Sequence, residues 1–163
     1  MREVSTGADA ALWGVLDTAR DTRIPRLIRA YAPVAYPLLD PPVARDLAGV
    51  LPWLVHLVRG GRLLDIWRRE GIGSAWGIAA ATHAPADEVL RHLRKLFRAT
   101  LPDGRVAYFR FYDPRVLRPF LAVTDAPGRR TLFGPLNTIF VESAGGYPVQ
   151  ALRLNPAGEV VPA

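Results

Sequence analysis

Arg110, Asp113 and Arg115 stand in one short run, Arg110-Phe-Tyr-Asp-Pro-Arg115, which follows an amphipathic segment (Pro85 to Ala99) and a tight Leu101-Pro-Asp-Gly104 turn without a break. Two guanidinium groups around one carboxylate make ion pairs, and at the end of a strand such a set either locks the fold or meets a partner. In an extended strand Val106, Tyr108, Arg110 and Tyr112 face one way, and Arg105, Ala107, Phe109, Phe111 and Asp113 the other. Arg110 is thereby expected among aromatics. A buried arginine needs a carboxylate or carbonyls to offset its desolvation, and Asp17, Asp21 and Asp40, at the ends of other apolar runs, are the candidate partners. Asp113, directly before Pro114, also has the sequence of a helix N-cap, which is worth about 0.5 to 2 kcal/mol.

A second constellation lies on the preceding helix. Val89, Leu90, Leu93, Leu96 and Phe97 share one face, while Arg91, Arg94, Lys95 and Arg98 recur at helical spacing on another. This is a basic ridge, read either as a solvated outer face or as a surface for an acidic partner. No aromatic on that face offers stacking to bases, so a nucleic-acid interface is the weaker reading. His56, His83 and His92 have no metal-ligand spacing, and no nucleophile elbow or phosphate loop is present. Gly71-Ile-Gly73 follows a helix rather than a strand and makes no dinucleotide fingerprint. No cofactor and no metal are expected. A small hydrolase or transferase using Asp21, His56 or Asp113 is the alternative from another class, although these residues form no recognisable acid, base and nucleophile set.

The elements that must position these groups alternate along the chain. Ala11 to Leu16 reads as a strand, followed by a helix capped by Thr22 with Ile24, Leu27, Ile28 and Tyr31 at helical spacing. Val34 to Leu39 is a short edge strand, because Pro37 cannot donate to a ladder. A short helix through Ala44, Leu47, Ala48 and Leu51 precedes a strand from Trp53 to Val58 that Gly60-Gly61 ends. Leu63, Ile66, Trp67 and Glu70 predict a helix, and Ala75 to Ala81 a strand of small residues over which something packs closely. Pro85, Asp87 and Glu88 open the ridge helix. Val106 to Tyr112 is the next strand, Pro114 starts another helix, and Thr138 to Val141 and Val149 to Leu154 flank Gly145-Gly146 as a closing hairpin. The expected fold is a single α/β domain over residues 11–155, a mixed sheet of about five to seven strands flanked by helices, with tails at 1–10 and 156–163.

Composition agrees with one globular domain. Half of the 163 residues are hydrophobic and 22% charged, too apolar for disorder. No apolar run approaches the roughly 20 residues of a membrane helix, and no export signal opens the chain. With no cysteine, disulfides and thiolate chemistry are excluded and the cytoplasm is the expected compartment. The net charge of +6 favours acidic partners, yet it is modest for a nucleic-acid binder.

Read in order, Trp13-Gly-Val-Leu-Asp-Thr-Ala-Arg-Asp21, Pro52-Trp-Leu-Val-His-Leu57, Gly73-Ser-Ala-Trp-Gly-Ile78, Leu90-Arg-His-Leu-Arg94, Leu101-Pro-Asp-Gly-Arg105, Arg110-Phe-Tyr-Asp-Pro-Arg115 and Phe133-Gly-Pro135 resemble the effector-adaptor chaperones of bacterial type VI secretion, the Tap or TEC chaperones. The resemblance spans roughly Leu12 to Leu154. It implies a non-catalytic cytoplasmic adaptor that binds a toxic effector and helps load it onto the spike protein VgrG, with no membrane partner. The family's motif positions fall here on Asp17, Arg20, Asp21, Ser74, Trp76, Gly77, Arg110, Tyr112, Asp113, Pro114 and Arg115; of these Asp17, Arg20, Asp21, Ser74, Gly77, Arg110, Tyr112, Asp113 and Pro114 are expected to build the fold, and Trp76 and Arg115 are candidates for the partner interface. The chain departs from many relatives in closing soon after its hairpin and in a shortened, basic Thr124 to Thr131 stretch. For the partner interface the candidate is an aromatic centre at Trp76 with Arg115 and Arg118 on its rim, the ridge Arg91, Arg94, Lys95 and Arg98 being the other surface; the alternative for Trp76 is a plain core position, since tryptophan is highly buried on average without any partner.

Overall fold

The computed structural model describes residues 10–39, 50–100 and 102–163. Seven strands form one open sheet in the order β2-β3-β1-β4-β7-β8-β9: β1 (Ala11–Asp17), β2 (Ala35–Pro37), β3 (Pro52–His56), β4 (Gly77–Thr82), β7 (Thr138–Ser143), β8 (Gly146–Leu154) and β9 (Val160–Pro162). Every pairing is antiparallel, so the sheet is not mixed as expected. The connections through Ile24–Tyr31 and Arg62–Ile66 each skip one strand: β1 and β2 run parallel with β3 between them, and β3 and β4 run parallel with β1 between them, so every hydrogen-bonded neighbour is antiparallel. The α/β class, the flanking helices and the hairpin closed at Gly145-Gly146 are as expected.

β1 organises both layers, because its alternation serves two cores. Trp13 and Val15 point to the larger one, shared with Val89, Leu93 and Phe97 of α3 (Ala86–Phe97), Leu117 and Leu121 of α4 (Pro114–Val123), and Leu132 and Phe133 of α5 (Ala126–Phe133). Leu16 points to the smaller one, with Ile24 and Ile28 of α1 (Ile24–Tyr31), Leu63 and Ile66 of α2 (Arg62–Ile66), Trp67 and Trp76. A central strand buried on both faces reads as a continuous apolar run, which is why its sequence shows no polar alternation. β1 meets β4 so closely that a Cβ on Gly77 would lie 1.9 Å from the Val15 carbonyl oxygen, and only glycine fits there.

Several boundaries differ from expectation. α1 starts at Ile24 without the Thr22 cap; instead the Asp21 carboxylate accepts the Arg23 backbone N–H, and Pro25 occupies the first turn. The helix expected beyond Leu63 is α2 followed by one π-helical turn at Trp67–Gly71. The helix expected through Ala44 to Leu51 lies largely outside the described residues, as do Asp40 and residues 1–9 of the N-terminal tail. The strand expected over Val106 to Tyr112 is only β6 (Val106–Tyr108), and it pairs with β5 (Arg98–Thr100) in a separate two-stranded ribbon, not in the main sheet. The reason is visible in burial: adjacent Phe111 and Tyr112 are both buried, which an alternating strand does not allow. The chain instead turns after Arg110, closed by the Asp113 N–H on the Arg110 carbonyl at 3.0 Å. The stretch read as a C-terminal tail carries β9, which pairs with β8 through Leu152 to Leu154.

Candidate functional site

The motif residues converge where β1 ends and β4 begins. The β1 backbone finishes with the Asp17 N–H on the Trp76 carbonyl at 2.8 Å, while the Asp17 side chain is 2% exposed. A buried carboxylate is costly unless it is paired and hydrogen-bonded. Here Oδ1 accepts the Ala19 N–H at 3.0 Å and Oδ2 accepts Arg110 Nη2 at 2.7 Å. Asp17 thus meets Arg110, whose guanidinium is about half exposed rather than buried as expected. The guanidinium also lies 3.7 Å from Asp113 and 5.9 Å above the Tyr112 ring. Burial is the largest single influence and opposes its charge, but the Asp17 carboxylate and the Tyr112 phenol together outweigh it and hold the Arg110 pKa above its ordinary value. Burial first, and the Asp17 charge second, push the Tyr112 phenol up.

Asp113 does two tasks at once. As the N-cap of α4 its Oδ1 accepts the Arg115 N–H at 2.9 Å, and the Arg115 guanidinium closes on both oxygens at 2.9 and 2.7 Å. Burial alone would raise this carboxyl; the Arg115 hydrogen bonds and charge prevail and hold it below the usual carboxylate range. Pro114 at the first helical position loses no hydrogen bond.

The next layer is the loop from Gly71 to Trp76. Its backbone N–H groups at Gly73 and Ala75 point into the buried Glu142 carboxylate at 2.8 and 3.2 Å. Ala75 takes a positive φ of 53°, uncommon for a residue with a Cβ, and the Glu142 contact helps to hold it there. Arg20 clamps the Ser74 carbonyl through Nε and Nη2, and Arg118 donates to the Glu142 carbonyl at 3.2 Å. Asp21 pairs with Arg23, which also reaches Glu70 and lies 5.5 Å over the Trp76 ring. The Arg23 hydrogen bonds hold the Asp21 carboxyl down. Glu142 carried no motif in the sequence; an acid closing the apolar run Ile139-Phe-Val-Glu142, with a glycine-rich loop in need of acceptors, was its only signal.

Trp76 is 1% exposed and belongs to the smaller core, so it presents no surface and is not the centre of an interface. Arg115 and Arg118, expected on the interface rim, hold Asp113 and the end of β7. Asp21 and Asp113 each already hold an arginine. His56 sits beside Trp13, at the opposite end of β1 from Asp17, with ring centroids 5.1 Å apart. Four residue steps along β1 separate Trp13 from Asp17, about 13 Å, so His56 lies apart from the cluster around Asp17 and Asp113, and Asp21, His56 and Asp113 form no single set. Among the described residues no group of three or more His, Asp or Glu is placed to hold a metal ion, and no helix is long and apolar enough to cross a membrane.

The ridge on α3 also resolves into unequal parts. Arg91 pairs with Asp87 one turn back at 2.9 Å, and Arg94 reaches over the edge strand to the Pro37 carbonyl at 3.1 Å. Lys95 and Arg98 stay exposed beside the β5–β6 ribbon. Of the remaining histidines, His83 lies in the loop after β4 and His92 is bonded to the Leu132 carbonyl, its pKa lowered chiefly by burial.

Comparison with curated proteins and with solved structures gives no match. A family model described as "Domain of unknown function (DUF4123)" matches residues 12–131, from the first residues of β1 to the last turn of α5. That span contains every motif residue of the ionic cluster, with Glu142 beyond its end. The chain belongs to the DUF4123 family.

Proposed function

We propose that this chain is a non-catalytic adaptor that binds a toxic effector of type VI secretion and helps load it onto the spike protein VgrG, acting in the cytoplasm before export. Membership of the DUF4123 family is the observation that carries the reading, since the quoted motifs resemble the effector-adaptor chaperones of that apparatus. The ionic cluster supports it as well. Asp17, Asp113 and Glu142 are each occupied by hydrogen bonds from the protein itself, the pattern of groups that build a platform. An adaptor needs such a platform, because it must grip a partner over a large surface and later release it.

Co-expression tests the reading. The chain is produced with the toxin encoded beside its gene and with the neighbouring spike protein, and each is tagged in turn. Co-purification of the chain with the toxin, and of the toxin with the spike only when the chain is present, is expected. A toxin that reaches the spike equally well without the chain contradicts the loading role.

A further inference from the structure

The β5–β6 ribbon has its large and small side chains the wrong way round for a folded surface. Val106 and Tyr108 are 48% and 53% exposed, whereas Ala107 between them is half-buried. An alternating strand next to a core normally turns its large apolar groups inward. Here the ring of Tyr108 stacks on the buried Phe97 at 4.9 Å between centroids, and about half of the residue is left in solvent. Such a ring is held in place before any partner arrives, which lowers the ordering cost of binding.

The charge around this aromatic is one-sided. Arg98 lies directly across the ribbon from Tyr108 in register, and Lys95 lies in the last turn of α3 just before it. Arg105 is tied to Asp103 at 2.7 Å in the connecting turn, which removes the one described acid there from competition. Two exposed cations thus flank two exposed apolar side chains, while Arg91 and Arg94 on the same helix are already engaged. An apolar centre with a charged rim is the anatomy of a protein interface, and tyrosine and arginine are the commonest anchors of binding energy. The patch is too short for a nucleic-acid track, which needs a longer run of cations along a backbone.

We infer that the outer face of the β5–β6 ribbon, centred on Tyr108 and Val106 and rimmed by Lys95 and Arg98, is the docking surface for an acidic protein surface carrying an exposed apolar side chain. The inference rests on the adaptor reading for the identity of that protein, the effector. Its charge complementarity comes from the ribbon itself. The rim steers an acidic partner and the aromatic centre sets the rate of its release.

The test is a binding titration of the full chain with the purified toxin encoded beside its gene, at low and at physiological salt. Lys95→Glu with Arg98→Glu, both at exposed positions, is expected to weaken binding at least about tenfold and to flatten its salt dependence. Tyr108→Ser is expected to weaken binding by about the same factor with little change in salt dependence. Arg69→Glu, on α2's side of the sheet, serves as the control and binds as the parent. Melting curves confirm that each variant is folded; if Tyr108→Ser loosens the ribbon, the charge-reversed pair carries the decision. Parent-like binding by the folded charge-reversed pair overturns the docking surface while leaving the adaptor reading intact. Failure of the unaltered chain to bind the toxin overturns the adaptor reading and the inference together. Tight binding of a fluorescent single-stranded DNA 20-mer at physiological salt, lost in the same variants, would also overturn the protein partner.

Discussion

The sheet end at Asp17 and the ribbon at Tyr108 are both rich in arginine and aromatic residues, yet they are opposite in state. At the sheet end the carboxylates are buried and met: Asp17 by Arg110, Asp113 by Arg115, and Glu142 by two backbone N–H groups. At the ribbon, Lys95 and Arg98 stand exposed beside Val106 and Tyr108. Breaking one side of a buried pair leaves an uncompensated charge, while exposed cations cost little to remove. The difference teaches that the same residue types build the fold where their partners are buried, and address a second molecule where they are not. Stability and binding should therefore separate cleanly between the two regions.

The largest effect is expected from Asp113→Ala, which removes the N-cap of α4 and leaves Arg115 without its carboxylate. A loss of about 3 kcal/mol in urea unfolding is the expected result. Glu142→Ala follows: the Gly73 and Ala75 N–H groups lose their acceptor, for about 1 to 3 kcal/mol. Subtilisin digestion should then cut the Gly71 to Trp76 loop faster. A change in neither stability nor digestion would mean that the loop holds its shape without this carboxylate.

Acid should act on the sheet end selectively. The folded-state pKa of Asp113 lies below its ordinary value near 3.8, so the group stabilises the native state above that pH and the contribution is lost as pH falls through the depressed folded value. Stability should thus decline below about pH 4, and Asp113→Asn should show a shallower decline over that range. Equal slopes for parent and variant would locate the acid sensitivity at other carboxylates. The smallest effect is expected at the ribbon: Lys95→Glu with Arg98→Glu should shift stability by no more than about 0.5 kcal/mol. A large loss there would make the ribbon a second structural lock and erase the contrast.

Much of this arrangement was legible in the sequence. The alternation of strands with helices, the cap at Asp113-Pro114 and the hairpin at Gly145-Gly146 are local signals, and each appears in the structure. The requirement of Arg110 for a carboxylate was legible as well, and Asp17 could be named among three candidates; choosing it required the sheet order. The antiparallel sense of the sheet was not legible, because strands alternating with helices ordinarily mark parallel pairing, and here the helical connections skip a strand whose place in the sheet order is long-range information. The strand reading of Val106 to Tyr112 failed because Phe111 and Tyr112 are buried together, a tertiary demand that overrides alternation. That error hid the ribbon, since it ran Tyr108 into one strand with Arg110 and Tyr112. Trp76 was open in the sequence between an interface centre and a core position; the core reading holds, and what decides it is its packing in one cluster with Leu16, Ile24 and Val55, which is long-range information.

Arg110→Ala tests the central claim most directly, when its melting temperature and its capture of the toxin encoded beside the gene are measured on the same preparation. The guanidinium is about half exposed, so the loss falls below the range for a fully buried pair, at about 1 to 3 kcal/mol. The account predicts a lowered melting temperature with capture retained at a temperature where the variant is folded. A variant that melts like the parent and no longer holds the toxin would contradict it, making Arg110 a direct contact and the sheet end the binding face.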